Sequence, residues 1–225
     1  VMRLNEDGTI GEMTDEVFHK GIGSVAERNF RPHVNCVNIT PDQKYLCAVD
    51  LGVDQVKIYK FNDETGKITL VDMLRCELES APRIIKFSPD GRFAYLICEL
   101  KNYISVYTYK DGPRGPVFEL VQTISTLNEY HSKGSAACVL RFSRDWNYVL
   151  CSNAGDNSVG IFKIDRETGM LEKICILPVS GDYPKAADFF PDNRHIMALN
   201  HESNTMTIFR INYEKKYFSL WGKPL

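Results

Sequence analysis

Two sets of mostly polar residues recur at fixed distances from a turn that this 225-residue chain repeats four times. Seven residues before the turn aspartate stand Asn35, Arg83, Cys138 and Lys185. Eight or nine residues after it stand Asp50, Glu99, Asn153 and Asn200. Such a polar ring can form a small-molecule site, and the second set, which bears oxygen throughout, can also surround a hard cation such as Ca²⁺. The alternative is that these residues form no site: they are solvent-exposed strand ends, and Arg83 and Glu99 form an ordinary ion pair.

The spacing of the two sets predicts that their members meet in pairs. Each pair is 15 or 16 residues apart, with the turn near its midpoint. In an antiparallel hairpin, residues equidistant from the turn are neighbours. The pairs predicted in this way are Arg83 with Glu99, Lys185 with Asn200, and Asn35 with Asp50. All of them should lie at one end of the two strands that flank the turn.

Histidines near the same strand ends are further candidates for substrate binding or proton transfer. His33 precedes Asn35 by two residues, so both should point to the same side of a strand. His201 directly follows the second set, and His131 lies in the loop 127–135, the widest departure from the repeat. Long loops on rigid scaffolds often carry function. The sequence indicates no functional role for His19 or His195.

The elements that must position these residues are short strands. In the second repeat, an apolar run at 84–87 precedes the turn Ser88-Pro89-Asp90-Gly91, in which proline presets φ and glycine accepts a positive φ. The unbroken apolar run 93–98 is typical of a strand buried on both faces, and 104–109 alternates with period two. No segment shows the stripe of a long helix.

The turn aspartates recur at intervals of 48, 55 and 47 residues. Four antiparallel strands in about 45 residues, repeated, are typical of a β-propeller blade. The sequence therefore predicts an all-β propeller of about four four-stranded blades plus part of a fifth. The predicted segments are 1–20 (the outer part of an incomplete blade), 31–74, 82–124, 136–177 and 184–222.

Four blades and part of a fifth lie at the low end of the roughly 4–8 that close a ring. We expect the chain to belong to a larger propeller. An open arc exposes strand edges and apolar faces, so self-association through these edges is expected.

The composition argues against several classes of function. A net charge of −2 provides no positive electrostatic field that would attract nucleic acid. No apolar run approaches the roughly 18 residues that a membrane span needs. Seven scattered cysteines form no CxxC pair, which is typical of reduced core cysteines in a cytoplasmic protein. The opening residues do not resemble a signal peptide. No cofactor or metal is predicted from motifs.

Several motifs resemble the lactonase family of seven-bladed propellers, which includes bacterial 6-phosphogluconolactonases and fungal carboxymuconate cyclases. The most specific stretch is Pro82-Arg83, followed by Phe87-Ser88-Pro89-Asp90-Gly91 and Glu99-Leu100. Further matching stretches are 32–42, 50–54, 122–127, 136–137, 152–153 and 181–184. The resemblance covers about residues 31–213 and implies a seven-bladed parent.

The resemblance also implies site residues. The family's Arg and Glu correspond to Arg83 and Glu99, while its His position holds Asn35, with His33 two residues away. The family's second Arg position holds Ala154. By this resemblance Glu99 activates water, Arg83 stabilises the oxyanion, and His33 or His131 assists proton transfer.

The implied ligand is a small anionic sugar acid or lactone such as 6-phosphogluconolactone, whose phosphate or carboxylate Lys185 would bind. Three alternatives to this hydrolase stay open: a non-catalytic propeller that binds a sugar acid or a protein partner, a carboxymuconate-type cyclase, and a divalent-metal lactonase built on the second set.

Overall fold

The computed structural model describes residues 1–24, 30–129 and 134–225. They form one two-stranded hairpin followed by four four-stranded antiparallel sheets, each made of consecutive strands. The prediction of an all-β propeller with about four blades and part of a fifth is confirmed. Among the described residues, none forms a helix long and apolar enough to span a membrane.

The strands follow the chain in simple order. The hairpin consists of β1 (Met2–Leu4) and β2 (Ile10–Met13). The first blade contains β3 (Val34–Ile39), β4 (Tyr45–Asp50), β5 (Gln55–Asn62) and β6 (Lys67–Arg75). The second contains β7 (Pro82–Phe87), β8 (Phe93–Cys98), β9 (Tyr103–Gly112) and β10 (Gly115–Ser125). The third contains β11 (Ala137–Phe142), β12 (Tyr148–Asn153), β13 (Ser158–Ile164) and β14 (Leu171–Pro178). The fourth contains β15 (Pro184–Phe189), β16 (His195–Asn200), β17 (Thr205–Asn212) and β18 (Tyr217–Leu220).

In three of the four blades, the repeated turn closes the first hairpin through a bond between a hydroxyl and the turn carboxylate. In the second blade, the Ser88 hydroxyl donates to Asp90 Oδ1 (2.6 Å), which also accepts the N–H of Arg92 (3.1 Å). Gly91 has a φ of +73°, which glycine adopts without steric cost. The same hydroxyl–carboxylate bond joins Thr40 to Asp42 and Ser143 to Asp145. The turn therefore fixes hairpin register locally, wherever it occurs.

The hydrophobic core lies between neighbouring blades. One cluster joins the first blade to the second, another the second to the third, and another the third to the fourth. All six residues of β8 are buried, because this strand contributes side chains to two of these clusters. Each internal blade is thus packed on both faces, and the innermost strands are held in a fixed arc around a central channel.

Candidate functional site

A β-bulge at the end of each innermost strand creates the first set of site residues. In the four inner hairpins the register shifts between Val34 and Cys36, Pro82 and Ile84, Ala137 and Val139, and Pro184 and Ala186. The residues at the shifts are Asn35, Arg83, Cys138 and Lys185. Bulges next to functional sites commonly redirect a side chain. The bulge therefore occurs at the equivalent position in all four blades.

The four residues of the second set do not occupy equivalent positions in their blades. The prediction that Glu99 is equivalent to Asp50, Asn153 and Asn200 is wrong. The residues that pair with the strand position before the bulge are Asp50, Cys98, Asn153 and Asn200. Glu99 is one residue further on and is equivalent to Leu51, Ala154 and His201, which donate their backbone N–H groups in the same way. One residue along an extended chain reverses the side of the side chain. Glu99 consequently faces the channel mouth.

The predicted contact between Arg83 and Glu99 is confirmed. Arg83 Nη1 donates to Glu99 Oε2, and Arg83 Nε donates to the carbonyl of Cys138 in the next blade (2.9 Å). The Glu99 side chain is 1% exposed and the Arg83 side chain 20%. A buried carboxylate needs such compensation, because its desolvation costs several kcal/mol. The pair is therefore anchored in the wall of the channel rather than at a wet strand end.

Arg83 and Glu99 line a cleft of about 680 Å³ at the channel mouth. The other lining residues are Phe30, Arg31, Pro32, His33, Asn35, Leu51 and Lys185. The cleft thus contains three of the predicted binding or proton-transfer residues, His33, Asn35 and Lys185. Arg31 and Leu51 were missed by the sequence analysis. Leu51 directly follows Asp50 of the second set, and Arg31 precedes β3 and belongs to neither recurring set.

Charge in the cleft lining is mostly positive. Arg31, Arg83 and Lys185 contribute three cationic side chains against the single carboxylate of Glu99. Lys185 Nζ lies 5.2 Å from the centre of the Tyr183 ring, a distance at which an ammonium is attracted to the ring face. The cleft therefore favours an anionic ligand.

Asp50 does not pair with Asn35 as predicted. Asp50 is fully buried and accepts backbone N–H groups from His33 and Gly52. The Asn35 amide instead donates to the carbonyl of Arg83 (3.2 Å). Asn35 thus lies beside the ion pair, in the cleft, while Asp50 supports the backbone behind it.

Asn200 does not pair with Lys185, because its amide donates to Thr205 Oγ1 and Thr207 Oγ1 (both 3.2 Å). Asn153 donates to the carbonyl of Thr126 (2.8 Å) and to Ser158 Oγ (3.0 Å). Both asparagines are buried between strands and neither lines the cleft. The ring of four oxygen ligands, which the sequence left open as an alternative, is therefore not formed by these residues.

The two remaining histidines have different outcomes. His201 is exposed, with its ring centre 6.4 Å from that of Tyr183, and it is not among the residues that line the cleft. His131 lies outside the described residues. Within the described ranges, no group of three or more His, Cys, Asp or Glu side chains is arranged to hold a metal ion.

Known proteins match the chain along almost its whole length. The family described as "Lactonase, 7-bladed beta-propeller" matches residues 1–224. An uncharacterized protein of Lactococcus lactis is 34% identical over 209 residues, which cover 93% of this chain and 60% of the relative. The 6-phosphogluconolactonase of Bacillus subtilis is 28% identical over 214 residues, 95% of this chain and 60% of the relative.

Among solved structures, the periplasmic gluconolactonase PpgL of Pseudomonas aeruginosa superposes with a TM-score of 0.87 at 27% identity. The match covers 100% of this chain and 61% of that structure. The chain belongs to the family of seven-bladed lactonase propellers. It spans about 60% of the length of the curated relatives it matches.

Proposed function

We propose that the cleft is the active site of a sugar-lactone hydrolase that acts on an anionic lactone such as 6-phosphogluconolactone. The observation that carries this proposal is the buried Glu99 carboxylate, held by Arg83 in a cleft that also contains Arg31 and Lys185. The Bacillus relative, a 6-phosphogluconolactonase, and the Pseudomonas relative, a gluconolactonase, support the same reaction class. Because the chain spans only part of its relatives, the proposal concerns the full-length protein.

The proposed reaction assigns a role to each cleft residue. Glu99 accepts a proton from water as the water oxygen attacks the lactone carbonyl carbon. Arg83 stabilises the oxyanion, and its five N–H donors leave capacity beyond the contacts with Glu99 and Cys138. The ester bond to the ring oxygen then breaks, and His33 delivers a proton to that oxygen. Lys185 and Arg31 bind the phosphate or carboxylate of the substrate.

A direct test compares Glu99→Gln with wild type in the full-length protein. Acid release from freshly prepared 6-phosphogluconolactone is followed in a pH-stat and corrected for spontaneous hydrolysis. Since a positioned base contributes about 100-fold or more, we expect kcat of the variant to fall by at least about that factor. Glu119→Gln is the matched control, because Glu119 is an exposed residue of β10 paired with Lys110. An unchanged rate in Glu99→Gln would reject the assignment.

A non-catalytic propeller that binds a sugar acid is the second candidate. It is favoured by one observation: Ala154, at the position of the family's second arginine, is fully buried and packs in an apolar cluster with Cys138 and Tyr183. Under this alternative, gluconate 6-phosphate raises the melting temperature while the wild-type protein shows no turnover of the lactone.

We also propose that the protein works in the cytoplasm. The support is that none of its seven cysteines, all in the described part of the chain, is in a disulfide. The Pseudomonas relative is described as periplasmic, so the family is not confined to one compartment. Cell fractionation with a tagged full-length protein tests the location.

A further inference from the structure

The segment after β2 crosses the outward face of the first blade and carries a buried histidine. Thr14 Oγ1 donates to the carbonyl of Gly66 (3.0 Å), and Asp15 Oδ2 accepts the N–H of Ile68 (2.8 Å). These bonds hold the segment along the outer strands of the blade. Its His19 side chain is only 4% exposed. The sequence indicated no role for this residue.

Both ring nitrogens of His19 are engaged. Nδ1 lies 2.5 Å from Asp50 Oδ2, and Nε2 lies 3.0 Å from the Tyr59 hydroxyl. A carboxylate oxygen accepts, so Nδ1 carries a proton. Burial, and then the charge of Asp50, raise the pKa of Tyr59, so its hydroxyl keeps its proton. The two hydrogen-bond partners fix the orientation of the His19 ring.

The other oxygen of Asp50 holds the backbone of His33. Asp50 Oδ1 accepts the N–H of His33 (2.7 Å) and that of Gly52 (3.1 Å). The carbonyl of His33 in turn accepts the N–H of Leu51 (3.0 Å). The backbone N–H and C=O groups of His33 are therefore both fixed, and His33 lines the cleft of the proposed active site. A continuous set of hydrogen bonds thus connects His19 to His33.

The other blades show that the fold does not need a carboxylate at this place. Their equivalents of Asp50 are Cys98, Asn153 and Asn200. Burying a carboxylate is unfavourable unless hydrogen bonds and charges compensate, and neutral replacements are often at least as stable. Among the four equivalent positions, only that of the first blade therefore holds a carboxylate. There the carboxylate is bonded both to the His19 ring and to the backbone N–H of His33.

We propose that His19 and Asp50 are positioning residues that hold His33 in the orientation it needs for proton transfer in the cleft. The proposal rests on the proposed function, because the proton transfer belongs to that reaction. Neither residue is assigned contact with substrate. Their action passes through the backbone of His33.

The test uses substitutions of His19 in the full-length enzyme. His19→Leu removes the donor to Asp50, whereas His19→Asn offers an amide N–H close to the place of Nδ1. Since misplacing a catalytic group by about 1 Å can cost about 100-fold, we expect His19→Leu to lower kcat by about 10- to 100-fold with little change in KM. His19→Asn should recover most of the loss.

Two comparisons separate positioning from a general loss of stability. In a His33→Ala background, His19→Leu should cause no further fall in kcat, because the two residues act as one unit. His195→Leu is the matched control: it removes another His–Asp pair (His195 Nδ1 to Asp192 Oδ2, 2.6 Å) at the opposite end of the blades. This variant should lower stability and leave kcat unchanged.

An NMR measurement keeps the result independent of turnover. The imidazole Cε1–H resonance of His33, assigned with His33→Ala, should shift in His19→Leu and stay in place in His19→Asn. If the wild-type protein hydrolyses no lactone, the proposed function is rejected. The His33 resonance would then still test whether His19 positions His33. A wild-type kcat in His19→Leu, or an unshifted His33 resonance in it, would overturn the proposal.

Discussion

Arg83 and Glu99 form a pair whose members differ in their access to water. The carboxylate is buried, while the guanidinium remains partly exposed toward the cleft. The second contact of Arg83, with the carbonyl of Cys138, crosses to the next blade. The pair therefore has two functions on physical grounds. It neutralises a buried charge, and it holds two blades at the spacing that shapes the cleft.

At this scale we expect Arg83→Met to destabilise the protein by about 2–3 kcal/mol, because Glu99 stays buried without this cation. The partial exposure of Arg83 places the cost at or just below the lower limit of the roughly 3–5 kcal/mol for buried pairs. The double variant Arg83→Met with Glu99→Met should regain most of the loss, since no lone charge is then buried. Urea unfolding of the three proteins measures both values. A double variant no more stable than Arg83→Met would contradict this account.

The hairpin and its bulge are the elements that decide which side chains reach the cleft. The turn aspartate is a good reference for the innermost strand, because the bulge occurs at the same distance from it in every blade. That is why Arg83, Lys185 and Asn35 could be selected from sequence. In the strand that follows the turn, a shift of one residue places a side chain on the opposite face. The offset of nine rather than eight residues placed Glu99 in the wrong column, although it faces the opposite way from Asp50 and Asn200.

The turn after β4 supports the cleft through a close backbone contact. A Cβ atom on Gly52 would lie 1.6 Å from the carbonyl oxygen of Arg31. Real Cβ contacts are never this short, so Gly52→Ala must displace the segment 31–33, which lines the cleft. The segment holds two of the proposed functional residues, Arg31 and His33.

At the scale of this element we expect Gly52→Ala to lower kcat/KM for the lactone by about 10-fold or more, since catalysis is sensitive to small displacements. Gly155→Ala is the matched control. It occupies the equivalent turn of the third blade, where a Cβ would lie 2.6 Å from the carbonyl oxygen of Gly134. That variant should lower the melting temperature and preserve kcat/KM. Equal loss of activity in both variants would show that only global strain is being measured.

The two ends of the arc differ in how their outward faces are covered. On the first blade, the segment after β2 buries Tyr59 beneath His19. On the fourth blade, Leu199 of β16 is 44% exposed and Trp221 follows β18 with more than half of its surface exposed. Exposed apolar side chains of this kind favour association. The sequence predicts self-association through exposed blade edges; the exposed apolar residues lead us to propose that it involves the fourth blade rather than the first.

For the whole molecule we expect the isolated 225-residue chain to self-associate with increasing concentration, as measured by sedimentation velocity. Leu199→Lys should weaken the association, because it replaces an exposed apolar side chain of the fourth blade with a charge. Leu120→Lys is the control, since Leu120 is exposed at 58% on the outer strand β10 of an internal blade. A chain that remains monomeric throughout the concentration series would contradict the expectation.

The sequence by itself determined what repeats: the strands, the Ser/Thr–Asp turns, the blade order and the charged residues at the ends of the innermost strands. These features depend on local turn chemistry and on alternating side chains, which recur with every blade. Only the tertiary structure decided how the blades meet. Arg83 contacts Cys138 across 55 residues and His19 contacts Asp50 across 31, and Arg31 enters the cleft from the segment before β3. Such contacts depend on how blades and connecting segments pack against one another, so no period in the sequence records them.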